Sequence, residues 1–168
     1  ENLATPLVTE PSLPDTLWVD ATLVKGHALL QAAKEATKDA VSTYVEDNYV
    51  LFGYDRVKCR RDVGYVIEAV RYDMMFDSNF RSIVAGRSYY RAMSSVVVKD
   101  QKLATLASFQ FLKEKLLEIV KAVDPDNPTT IETQAIARVT RSMDIILDIL
   151  ENGLTAEPTI LLGAPGAF

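Results

Sequence analysis

Ile136, Val139, Met143, Ile146 and Leu150 recur at intervals of three, four, three and four residues. That rhythm keeps one apolar stripe turned toward a partner and is the seam of a helix bundle. It predicts a helix over residues 130–151, ended by Asn152-Gly153, where glycine accepts a left-handed backbone. Just before it, Asp124-Pro125-Asp126-Asn127-Pro128 is the sharpest break in the chain, because proline lacks a donor and pushes its predecessor out of helix. An isolated stripe of this kind is unstable in water, so further helices must cover it.

The sequence supplies four more. Leu23, Leu30, Ala33, Thr37, Val41 and Tyr44 predict a helix over 22–47, weakened near its start by Gly26. Cys59, Val63, Val66, Ile67, Val70 and Met74 share an arc of about 100° over 55–76. Arg60, Arg61, Gly64, Glu68 and Arg71 fall outside that arc and are expected to face water, with Gly64 open to the approach of another chain. Ser78 or Asn79 can cap a helix over 80–98 bearing Phe80, Ile83, Tyr90 and Val97. A fourth helix follows with Leu103, Leu106, Phe109, Leu112, Leu116, Ile119 and Val123. One unbroken helix over 80–123 is the alternative. The apolar link at 49–54, with Val50, Leu51 and Phe52, is expected to fold back onto the core. Only residues 159–162 look strand-like, and they are few.

Long helices with short links predict an all-α, up-and-down bundle of four to five helices crossing at roughly 20°. The bundle domain is expected over 20–153. Pro6, Pro11 and Pro14 make residues 1–19 an extended arm. Pro158, Gly163, Pro165 and Gly166 make residues 154–168 a C-terminal tail.

With 168 residues the chain is long enough for one domain that buries roughly two-thirds of its unfolded surface. Its 18 basic and 23 acidic side chains give a net charge of −5, which argues against broad contact with nucleic-acid phosphates. No window approaches the length of a membrane span. The first residues lack the basic start and apolar run of a signal peptide. The chain begins without methionine, as an excised segment of a longer protein would. A single cysteine excludes an intrachain disulfide.

Among candidate chemical groups, Asp62 and Asp73 are eleven positions apart and project within about 20° of each other on their helix. Arg87 and Arg91 fall on or beside the apolar arc of the next helix. Two readings compete for these four residues: a paired-carboxylate or metal site, and a buried ion-pair cluster that sets the register of a helical hairpin. The second is preferred, because buried charges need partners and arginine's planar fork bridges carboxylates. His27 has no ligand-type neighbour at helical spacing, and Cys59 sits in an apolar arc, so both read as packing residues. No phosphate loop, metalloprotease pair or nucleophile elbow is present. Neither a catalytic residue nor a cofactor is expected. Tyr65 and Tyr72 lie away from the core stripe of their helix and suit contact with another helix or subunit.

The segment KCRRDVGYVIEAVRYDMMFDSNFRSIVAGRSYYRA, residues 58–92, resembles a motif repeated in large structural proteins of contractile-tailed marine phages. That motif runs Cys-x-Arg-Asp-hydrophobic-Gly, an Asp-containing helix, Gly-Gly-Asn, and a helix ending in paired tyrosines. The matching positions are Cys59, Arg61, Asp62, Gly64, Tyr72-Asp73, Asn79, Gly86 and Tyr89-Tyr90, while Asp77-Ser78 stands in place of the two glycines. The resemblance spans 35 of 168 residues. It implies a helical module of a virion or tail-associated protein, and no enzymatic activity.

The expected function is therefore a non-enzymatic structural or interaction module with protein partners, self-association included, and without nucleic acid or membrane. The alternatives are a small metal-binding bundle or enzyme using Asp62 and Asp73, and a regulatory module whose tyrosine face receives a partner helix.

Overall fold

The computed structural model describes residues 21–51, 53–76, 80, 84, 99–122 and 128–152. Five helices occupy most of them: α1 (Ala21–Ala32), α2 (Lys34–Asn48), α3 (Arg56–Met75), α4 (Lys99–Val120) and α5 (Pro128–Asn152). No strand occurs among the described residues, and the fold is an all-α helical bundle. The expected arm, the tail, and most of the predicted helix over 80–98 lie outside the described residues. Phe80 and Val84 are helical and buried.

The single helix expected over 22–47 is interrupted at Ala33, whose φ and ψ are −91° and 0°. Backbone bonds still run through the interruption, from Ala33 N to the Leu29 carbonyl and from Thr37 N to the Ala33 carbonyl. The Thr37 hydroxyl also donates to the Ala33 carbonyl at 2.8 Å. A hydroxyl bonding back four residues draws that carbonyl off the helix axis and disturbs the turn. Together α1 and α2 form one rod with a defect of a single residue.

α3 begins cleanly because the Asp55 carboxylate accepts from the amides of Val57 and Lys58. Such a cap satisfies amides that have no partner inside the helix. α2 and α3 are antiparallel and are laced on their outer side. Arg56 reaches Glu46 at 2.7 Å, Arg60 reaches Glu35 at 2.7 Å and also Asp39, and Lys34 reaches Glu68 at 3.3 Å. α4 and α5 are antiparallel too: Lys102 donates to the Glu151 carbonyl at 2.7 Å and Lys113 to Asp144 at 2.7 Å.

The core lies where these rods meet. α3 contributes Val63, Val66, Ile67, Val70 and Met74, and α4 contributes Phe109, Leu112, Leu116 and Val120. α5 contributes Val139, Met143, Ile146 and Leu150 from the expected seam, together with Ile149. Cys59 packs against this cluster while only partly buried.

Expectations about exposure fail at several positions, among them Leu103, which is half exposed despite its place in the predicted apolar stripe. Val50 is wholly exposed rather than folded inward, while Leu51 is partly buried. Gly53, with φ of 78°, turns the link. Phe52 lies outside the described residues. Gly64 is buried: a Cβ there would meet the aliphatic stems of Lys34 and Lys38 at 3.7 Å. Lysine stems cover apolar surface while their charges reach water. Arg71 does not face water either, its side chain being only 12% exposed.

Gly26 allows α1 to lie close on its neighbours. A Cβ added there would stand 2.7 Å from Met74 Cε and 3.7 Å from the Ala135 Cβ. A Gly26→Val substitution is expected to lose about 2 kcal/mol in urea unfolding through overpacking. A variant as stable as the parent would show that the flexible end of Met74 moves aside to make room.

Candidate functional site

Asp73 is the one carboxylate in the described residues with no exposure at all. It lies near the end of α3, and α5 supplies its partners. Arg141 Nη2 donates to both carboxylate oxygens, at 2.6 and 2.7 Å. The Ser142 hydroxyl stands 2.6 Å from Oδ2 and 3.0 Å from the Arg138 carbonyl, so its single proton goes to the nearer, charged acceptor. Arg138 Nη1 donates to the Asp73 main-chain carbonyl at 2.6 Å. Three adjacent or near-adjacent residues of α5 thus grip one residue of α3. Charged hydrogen bonds at these lengths make up for the water that Asp73 has lost.

Asp62 behaves differently. Its side chain is 27% exposed and pairs with Arg61 at 2.8 Å. Burial pushes its carboxyl upward, against the pull of Arg61 and Lys58. It borders a cleft of about 280 Å³ between α3, the 49–55 link and α4, together with Tyr54 and Cys59. The Tyr54 phenol is pushed up as well, by burial first and then by Cys59 and Glu46. Eleven residues of helix separate Asp62 from Asp73, about 16 Å along the axis at 1.5 Å per residue. They share a face but not a site. Arg87 and Arg91, the expected partners of both acids, lie outside the described residues.

The sequence stripe of α5 concealed the grip on Asp73. Ser142 sits inside the seam, between Val139 and Met143. Arg138 and Arg141 are three residues apart, roughly 120° and 180° round α5 from the centre of that seam. Both arginines therefore read as solvent-facing on a helical wheel, which gives no signal of the contact with Asp73.

Tyr65 and Tyr72 are about half exposed, as expected for residues off the core stripe. Phe76, also half exposed, joins them. Tyr65 and Tyr72 fall within about 20° of arc on α3, and Phe76 is the extended residue that follows its last turn. The Tyr72 and Phe76 rings are 4.7 Å apart and tilted by 36°. With Phe80, Val84, Met75 and Ala69 they line a second cleft of about 300 Å³, whose polar end is His27, Glu68 and Arg71.

Among the described residues no three His, Cys, Asp or Glu side chains converge on a point that would hold a metal ion. No helix among them is long and apolar enough to cross a membrane. Comparison with protein-family models, with curated proteins and with solved structures returns no match for this chain.

Proposed function

We propose that this chain is a non-catalytic helical module of a virion or tail-associated protein, holding neighbouring protein subunits through the aromatic face of α3. The observation that carries this is the half-exposed set Tyr65, Tyr72 and Phe76 around one cleft. Contact surfaces are enriched in such rings, which bring large area at little entropic cost. The net charge of −5 disfavours a phosphate backbone as the partner. The resemblance of residues 58–92 to a phage structural motif supports the virion setting. A metal or catalytic role for Asp62 and Asp73 draws no support from their separation, and Arg141 and Ser142 already engage the Asp73 oxygens.

Multi-angle light scattering across a concentration series tests the contact surface. The chain is expected to self-associate, and Tyr72→Ser with Phe76→Ser to weaken that association at least tenfold, roughly 1.4 kcal/mol. Immunogold electron microscopy with antibody to the chain is expected to label tailed particles. A chain that stays monomeric up to about 1 mM and decorates no particle is not this module.

A further inference from the structure

His27 is the only histidine in the chain. It stands on α1 and lines the aromatic cleft beside Tyr65 and Tyr72. Arg71 of α3 ties it there: Nε donates to the His27 main-chain carbonyl at 3.1 Å, and Nη2 lies 3.4 Å from His27 Nδ1. A guanidinium can only donate, so as a hydrogen bond this contact needs a neutral imidazole with its lone pair on Nδ1 and its proton on Nε2. Glu68 holds the guanidinium from the other side, at 2.6 Å from Nη1. Both residues are partly buried, but Arg71 is also anchored by Glu68 and by the His27 main-chain carbonyl. A second proton on the ring sets two cations against each other, and the imidazole is the one free to leave.

We infer that the His27–Arg71 contact is a pH-operated latch, holding the imidazole as a wall of the aromatic cleft when neutral and releasing it in acid, so that the cleft widens beside Tyr65 and Tyr72. Among the described residues the charged groups acting on His27 are Arg71 and Glu68, both from α3; Lys34 of α2 reaches Glu68. Burial lowers the imidazole pKa most, Arg71 lowers it further, and Glu68 opposes them. The folded state therefore prefers the neutral ring. Its contribution to stability is complete above the unfolded value of about 6.5 and is lost as pH falls from there through the lower folded value. Any effect on partner binding rests on this cleft being the contact surface, but the latch itself does not.

Proton NMR of the full chain, at a dilution where it is monomeric, tests the latch through its one imidazole. The expected midpoint lies below about 6.5. Arg71→Gln should raise it, and Glu68→Gln should lower it further. Unfolding would carry both variants to the same value, so opposite shifts report the folded contact. The Tyr65 and Tyr72 ring resonances, assigned with the two Tyr→Phe variants, should move with the same midpoint. Equal midpoints in the three proteins, or tyrosine rings indifferent to the titration, would overturn the latch while leaving the contact surface standing.

Discussion

Arg141→Ala is expected to lower the stability of the bundle by about 3 kcal/mol or more. Asp73 has no exposed surface, and Arg141 makes two of its three charge-assisted contacts. Without the guanidinium, a charged carboxylate remains in the core with one hydroxyl partner. The two halves of this pair are unequal. Arg141 is 43% exposed and already partly solvated, so an arginine left behind by loss of Asp73 can turn into water, while a stranded Asp73 cannot. Ser142→Ala removes one neutral donor and should cost only about 1–2 kcal/mol. Urea unfolding at neutral pH measures both, with the slope of the transition checking that the unfolded state is unchanged. An Arg141→Ala loss below that of Ser142→Ala would mean that the carboxylate finds another cation.

Leu112→Ala should cost about 2–5 kcal/mol, and Leu103→Ala less than about 0.5 kcal/mol. Both leucines belong to the apolar stripe predicted for α4. Leu112 is fully buried in the core cluster, whereas Leu103 is half exposed. Truncating the first leaves a void that surrounding side chains fill only in part. Truncating the second removes surface already wet. Comparable losses at the two positions would show that the start of α4 is covered by something further.

Helical periodicity made most of this fold legible. It located α3 and α5, together with the buried face of each, because a stripe of 3.6-residue period has few other ways to leave water. Periodicity was weaker where exposure depends on a neighbour's side chain. Gly64 lies off the core arc but is covered by two lysine stems from α2. Arg71 lies off it too, yet α1 supplies a carbonyl acceptor. Val50 is apolar but belongs to a short link whose direction is set by its turn at Gly53.

The candidate site was legible only by halves. Asp73 stood out as an acid bordering an apolar arc. Its grip by Arg141 joins positions 68 apart in the chain, and a helical wheel says which way a residue points but not which helix it will meet. Helical periodicity gives Phe76 as the end of a helix, which it is, but not its stacking beside Tyr72 at the aromatic cleft.

The outer lacing of α2 on α3 is degenerate in one respect. Arg56 and Arg60 are four residues apart, so sliding α3 by one turn, about 5.4 Å, presents an arginine again where Arg56 had been. The surface charges therefore discriminate poorly between the native alignment and its shifted neighbour. Asp73 is held more narrowly, since Arg141, Ser142 and the Arg138 bond to its main-chain carbonyl must all be met at once, and a slide of that size breaks the three together. Selectivity among near-identical packings, more than raw cohesion, is what one interior carboxylate brings to a helix pair whose outer charges are interchangeable.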